Sequence, residues 1–263
     1  MASCIALDKR QIRQSFANAA QSYDAMAALQ RQVGRELISK VALPREALVV
    51  DVGCGTGFFT QQLRDRALLK NIVALDIAMP MLLKTRQRLG DGAVPLLCAD
   101  AEQLPIASHC IDGLVSNLAL QWCLGIDAMF ADVHRVLRAN GAFVFSTFGE
   151  SALCELKAAW AEVDDYPHVN EFCSLSAIRQ QLQVAGFVDA QLESWVYKVK
   201  YNSVIELMRE LKGIGAHNVS QARNRHLTTK GQLQALLSAY PLDKDGKISA
   251  SYEIIYVQAR ATE

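Results

Sequence analysis

The stretch Val49-Val50-Asp51-Val52-Gly53-Cys54-Gly55-Thr56-Gly57-Phe58-Phe59 constrains this chain more than any other. A short β-branched run ends in an acid, three glycines alternate, and an amphipathic segment begins. Such a pattern is a buried strand, a tight turn and a helix start. The glycines let the backbone turn sharply and come into contact with a ligand. A dinucleotide-binding turn needs a small residue at position 58, where the helix packs on the strand beneath a pyrophosphate. The residue here is Phe58. The turn therefore suits a nucleoside ligand that carries no diphosphate.

The rest of the first half alternates strand and helix. Residues 8 to 40 read as helix, with Ile12, Phe16, Ala19, Tyr23, Met26 and Leu29 at three- and four-residue steps. Strands are expected at 47–52, 71–76, 94–98, 111–116 and 142–147. Helices are expected at 58–69, 79–89 and 127–137, the last ended by Asn140-Gly141. Short connections in such an alternation imply parallel strands joined by right-handed helical crossovers. After Gly149 the pattern changes. Helices are expected at 151–164 and at 176–185, the second capped by Gly186. The alternating segments 191–200 and 251–259 read as an antiparallel pair at the sheet edge. Between them, about fifty residues of helical character (201–250) form a cap over the site. The expected division is a helical lid at 1–40, a nucleoside-binding core at 41–150, and at 151–263 the remainder of the sheet with the cap.

Composition narrows the class. At 263 residues, half of them apolar, the chain can bury a full core. Its net charge is zero, which argues against a dedicated nucleic-acid binder. No apolar run is long enough to span a membrane, and no signal peptide is visible, so a cytoplasmic protein is expected. The seven cysteines include no Cys-x-x-Cys and read as reduced, packed thiols. The five histidines show no paired ligand spacing, so no metal is expected. A monomer is the expected state.

Acids fall where a nucleoside would need them. Asp76 ends the second strand, and its carboxylate can accept from two ribose hydroxyls; capping the helix near Met79 is the alternative. Asp100 can accept from an adenine amino group, with the Ala101 backbone N–H donating to the ring; a plain loop acid is the alternative. Asp51, under the glycine turn, either braces the loop or helps hold the ligand's amino group. Asn117 leaves the fourth strand at the mouth, to touch the ligand or to cap a turn.

With these residues in place, the turn resembles motif I of class I methyltransferases. The resemblance implies S-adenosylmethionine as cofactor, held by Tyr23, Asp51, Gly53, Cys54, Gly55, Gly57, Asp76, Asp100, Ala101 and Asn117. It also implies the fold: α/β, Rossmann-like, a mostly parallel seven-stranded sheet with an antiparallel edge strand, helices on both faces and a helical cap. The turn and Ser22-Tyr23-Asp24 are shared by many small-molecule methyltransferases, quinone C-methyltransferases included. Ser116-Asn117-Leu118-Ala119-Leu120-Gln121-Trp122 and Leu211-Lys212-Gly213-Ile214-Gly215-Ala216-His217-Asn218 are more specific. They resemble segments of the malonyl-acyl carrier protein O-methyltransferases of biotin synthesis. Leu227-Thr228 and Tyr252-Glu253-Ile254-Ile255-Tyr256 are similar too. That family implies methylation of the free carboxylate of a malonyl thioester, on carrier protein or coenzyme A. Methylation of a quinone precursor and a non-catalytic cofactor-binding subunit are the alternatives.

A malonyl carboxylate is ionised at neutral pH, so no general base, and no catalytic residue, is expected. Alignment and partial loss of water carry the rate. Tyr23, Lys212, His217 and Asn218 are the candidates to hold the substrate. Gly213 and Gly215 would let the 212–218 loop approach it; an ordinary helix C-terminus is the alternative. From Lys198 to Lys230 there are seven Lys or Arg and two Glu. Such a basic rim would steer an acidic carrier protein, with Arg223 and Arg225 as contacts; a solvated helical face is the alternative.

Overall fold

The computed structural model describes residues 8–66, 69–216 and 228–262. Three helices open the chain: α1 (Lys9–Ala19), α2 (Tyr23–Met26) and α3 (Ala28–Ile38). Alternation follows: β1 (Leu48–Val52), α4 (Phe58–Asp65), β2 (Asn71–Asp76), α5 (Met79–Leu89), β3 (Leu96–Cys98), β4 (Ile111–Asn117), α6 (Ile126–Val136) and β5 (Leu137–Phe148). The second half adds α7 (Cys154–Ala161), α8 (Leu175–Val184), β6 (Phe187–Tyr201), α9 (Val204–Gly213), α10 (Lys230–Ala239) and β7 (Ile248–Ala261).

All seven strands form one sheet in the order β3-β2-β1-β4-β5-β7-β6. The first five run parallel, and β7 runs against both of its neighbours. Side chains divide by the two-residue period of a strand. Val49, Ala142, Val144, Ile254 and Tyr256 pack on one face with α3, α4 and α7. Val50, Phe143, Phe145, Ile255 and Val257 pack on the other with α6 and α8. The chain leaves β1 in one direction towards β2 and β3, then crosses back to β4. The ends of β1 and β4 therefore flank the point where an open α/β sheet binds ligands.

Three elements depart from the sequence reading. The single helix expected at 8–40 is broken twice. Its three- and four-residue period continues through the breaks, because each piece still buries one face. The first break is held by Ser22, whose hydroxyl donates to the carbonyls of Ala19 (3.2 Å) and, 191 residues away, Gly213 (2.8 Å). Asn140-Gly141 does not end a helix. The helix stops at Val136, because Leu137 is already extended and pairs with Ile111. Residues 138–141 then bulge out before Ala142 pairs with Gly113, with Asn140 at φ +61°. Arg138 donates to Asp112 across this bulge at 2.5 Å. The third departure is at Lys212, which belongs to helix α9 rather than to a loop.

Candidate active site

A crevice opens above the carboxyl ends of β1, β2, β3 and β4. It encloses about 730 Å³ of empty space, part of it open to solvent. Gly53 and Gly55 line it beside Asp76, and Asp100, Ala101 and Asn117 line it further along. Tyr23 reaches it from α2. The remaining three sequence candidates stand behind it. Asp51 is fully buried and accepts from the Thr60 hydroxyl at 2.5 Å. The Cys54 thiol lies 3.7 Å from the Thr85 hydroxyl. Gly57 is at the amino end of α4, with Thr85 filling the place its Cβ would take.

The turn depends on glycine at two positions in particular. At Gly53 (φ +71°) a Cβ would fall 2.2 Å from that of Ala119. At Gly55 (φ +56°) a Cβ would stand before the Tyr23 ring, inside the crevice. Both backbone conformations are disfavoured for residues with a side chain.

Asp76 is the organising polar group. One carboxylate oxygen accepts from the Gly55 N–H (2.9 Å) and the other from the Ala78 N–H (2.8 Å). The bend into α5 and the glycine turn are thus tied to one side chain. Each oxygen keeps a further lone pair for a ligand hydroxyl. Burial raises the Asp76 carboxyl to about 6, against the backbone donors that favour its ionised form. Burial also raises Asp51 to about 7, and the Thr60 hydroxyl opposes the shift.

Asn117 is committed to the protein. Its amide nitrogen donates to the Gln30 carbonyl (3.0 Å) and its oxygen accepts from the Ser146 hydroxyl (3.0 Å). It straps α3 to the sheet. The next residue, Leu118, takes φ +50° and also lines the crevice.

Three features of the site escape the sequence reading. Lys9 of α1 reaches across the mouth to Asp100 (2.7 Å) and to Glu102. Asp24 latches α2 onto the turn, accepting from Thr56 (2.6 Å) and Arg88 (2.5 Å). The Ser22-Tyr23-Asp24 motif thus divides its work between the cap, the crevice and the turn. Trp122, in edge contact with Phe16 (centroids 5.3 Å apart), lines this crevice and also a second one.

The second crevice encloses about 1260 Å³ of empty space, part of it open to solvent, and α9 forms one side of it. Its apolar wall includes Leu29, Phe148, Leu156, Trp160 and Phe172, and its polar wall includes His168, Asn170, Glu210 and Lys212. Lys212 is the one described member of the substrate candidates that lies here, Tyr23 being in the first crevice. His217, Asn218, Arg223 and Arg225 lie outside the described residues. Gly213 and Gly215 approach the lid rather than a crevice floor: a Cβ on Gly213 would fall 1.9 Å from the Met26 sulfur, and one on Gly215 3.0 Å from the Ser15 carbonyl.

The sheet order, the glycine turn at the β1 end and the acid at the β2 end define a Rossmann-like methyltransferase. The methyltransferase-domain family matches residues 50–145, which covers the turn and all three strand-end acids. Solved structures share the fold at low identity. A YcgJ protein from Bacillus subtilis superposes with a TM-score of 0.66, at 17% identity over 88% of this chain and 99% of its own. A phosphoethanolamine N-methyltransferase of Haemonchus contortus, solved with S-adenosylhomocysteine, has a TM-score of 0.60 at 14% identity, over 96% of this chain and 60% of its own. Sequence relatives are nearer. The malonyl-[acyl-carrier protein] O-methyltransferase of Methylovorus sp. is 40% identical over 96% of this chain and 89% of its own length. That of Methylococcus capsulatus is 39% identical over 94% and 92%. The biotin biosynthesis bifunctional protein BioHC of Cellvibrio japonicus is 38% identical over 96% of this chain and 50% of its own length. The chain belongs to the family of malonyl-[acyl-carrier protein] O-methyltransferases, enzymes that use S-adenosylmethionine.

Among the described residues no helix is long and apolar enough to cross a membrane. Nor do three or more His, Cys, Asp or Glu side chains gather into a possible metal site there.

Proposed function

We propose that this chain transfers a methyl group from S-adenosylmethionine to the free carboxylate of a malonyl thioester, carried on acyl carrier protein, in biotin synthesis. The observation that carries this reading is the near full-length relationship to enzymes of that name, joined to two crevices that share one wall residue, Trp122. One crevice suits the cofactor and the other an acyl group.

The residues present fit the cofactor. Asp76 has spare acceptor capacity for both ribose hydroxyls, and Asp100 with the Ala101 N–H stands where an adenine would rest. Gly53 and Gly55 let the methionyl portion lie against backbone. Lys9 offsets one of the two charges of Asp100 and Glu102, and with Asp76 the crevice keeps an acidic excess that favours a ligand carrying positive charge. Asp51, Cys54, Gly57 and Asn117 shape the walls from behind or from the side. When bound, S-adenosylmethionine supplies an electrophilic methyl group on a sulfonium centre.

The chain's own share is positional. The acceptor carboxylate is ionised at neutral pH, so no residue has to remove a proton. Tyr23, Phe16 and Trp122 line the cofactor crevice with aromatic surface that would shed water from the nucleophile. Burial raises the Tyr23 phenol well above its ordinary value, which keeps it a neutral donor. Lys212 lies along the acyl crevice, and His217 and Asn218 follow it in sequence as further substrate contacts. Arg223 and Arg225 extend the basic segment towards an acidic carrier. We place the enzyme in the cytoplasm, as a monomer with lid (1–40), core (41–150) and capped remainder (151–263).

A mass assay of the product tests this directly. Purified protein with S-adenosylmethionine and malonyl-carrier protein should yield the methyl ester, and the gene should restore growth of a biotin-requiring strain that lacks this activity. Methylation of a quinol precursor with none of malonyl thioester, or cofactor binding with no methylation at all, would overturn the assignment.

A further inference from the structure

We propose that Asp164 and His168 form the carboxylate clamp of the second crevice, with His168 contacting the acyl substrate and Asp164 positioning it. The proposal rests on the reading of that crevice as the acyl site. His168 lines the crevice, and its Nε2 lies 2.7 Å from the Asp164 carboxylate. The ring stacks face to face on Trp160, with centroids 3.6 Å apart and planes 6° apart. Asp164 is itself held, accepting from the Tyr166 N–H (3.0 Å) and the Gln232 amide (3.1 Å). Three elements therefore fix one imidazole: α7 through Trp160, α10 through Gln232, and the 164–170 loop.

The chemistry of this pair suits its place. An acyl carboxylate leaving water for a largely apolar crevice needs a compensating donor. With Nε2 bound to Asp164, Nδ1 is the nitrogen left for a ligand, and it donates to a carboxylate in the form that carries a hydrogen on both ring nitrogens, the form such a ligand selects. With Asp164 on one ring nitrogen and the substrate carboxylate on the other, the two share a single imidazole, so the clamp is a softer partner than a bare ammonium. That matters because a nucleophile gripped by a full ion pair is stabilised in the ground state and reacts more slowly. After methyl transfer the ester is neutral, the charge-assisted bond is lost, and product leaves more readily than substrate. Next along the loop, Asn170 lines the same crevice and has a buried amide oxygen with no hydrogen-bond partner among the described residues. Such an acceptor calls for a donor on the ligand, which the amide N–H groups of a pantetheine arm supply and the carboxylate does not.

The test compares malonyl-coenzyme A with acetyl-coenzyme A, which lacks the carboxylate. His168→Ala should raise the KM for malonyl-coenzyme A about 10-fold or more. Its inhibition by acetyl-coenzyme A and its affinity for S-adenosylhomocysteine should not change. His168→Gln should recover part of the loss, and Asp164→Asn should fall between wild type and His168→Ala. An unchanged malonyl KM would overturn the clamp. So would an equal loss of acetyl-coenzyme A binding, which would mean general damage to the crevice. If wild type methylates no malonyl thioester, the functional reading fails separately. Calorimetry on the S-adenosylhomocysteine-loaded protein then decides the clamp: a preference for malonyl- over acetyl-coenzyme A that disappears in His168→Ala supports it, and no preference in wild type overturns it.

Discussion

The two crevices meet at Trp122 yet are built by different means. The polar groups of the first come from turns at strand ends, and the register of β1, β2, β3 and β4 aims them. The second is walled by side chains of α3, α7 and α9 and by the 164–170 loop, and helix packing aims them. A sheet edge fixes direction through backbone hydrogen bonds within each strand pair. A helix wall depends on contacts between elements far apart in sequence. The first design suits a ligand that never changes, and the second suits an acceptor that differs from one enzyme to another. Damage to a strand end should therefore stay in the cofactor crevice, whereas damage to the lid should spread to both.

The largest effect is expected at Asp76. Asp76→Ala removes two ligand hydrogen bonds to a charged acceptor and orphans the Gly55 and Ala78 N–H groups. Loss of about 100-fold or more in S-adenosylhomocysteine affinity is expected by calorimetry, at about 1.5–3 kcal/mol per charged bond. The KM for the acyl substrate at saturating cofactor should hold within about twofold. A parallel rise in both would break the separation of the crevices. The wild-type pH profile offers the same test without mutation. Ribose hydroxyls donate to an ionised Asp76, whose carboxyl is raised to about 6. Cofactor affinity should hold above pH 7 and fall about tenfold per pH unit as the pH drops below 6. Asp76→Asn should flatten that dependence.

A pair of glycine variants sharpens the contrast between strain and contact. Gly53 and Gly246 both have φ near +70°. A Cβ at Gly246 meets nothing within 4 Å, whereas one at Gly53 collides with Ala119. Gly246→Ala should cost about 1–2 kcal/mol of stability, the price of the left-handed backbone alone, with no change in cofactor affinity. Gly53→Ala should cost more and should weaken cofactor binding as well. Denaturant midpoints and calorimetry on both variants decide it. Equal effects would mean that the turn tolerates a moving Ala119.

How far the sequence reached follows the same division. Gly53, Gly55, Asp76, Asp100 and Ala101 were legible because strand, turn and acid recur at a spacing the sheet enforces. Asn117 was legible in place, but its bonds to Gln30 and Ser146 were not, since neither partner is near it in sequence. Lys9 and Asp24 were missed for that reason: their partners lie 32 to 93 residues away. The breaks between α1, α2 and α3 left no trace, because no Gly or Pro marks them and the apolar period runs through. His168 was passed over as a metal ligand without a mate, when its mate was the carboxylate four residues earlier.

The smallest expected effect asks whether the lid and the cap act as one body. Ser22 sends its hydroxyl 2.8 Å to the Gly213 carbonyl, at the end of the helix that carries Lys212. Gly213 lies so close to Met26 that any side chain there would displace the Met26 thioether. A neutral hydrogen bond of this kind is worth about 0.5–1.5 kcal/mol. Ser22→Ala should therefore weaken S-adenosylhomocysteine binding and raise the acyl KM by a similar factor, about two- to tenfold. The loss belongs to both crevices because α2 closes one and the α9 end borders the other. A change confined to the cofactor would mean that the lid closes without the cap. The second crevice would then have to order its own walls when the acyl group arrives.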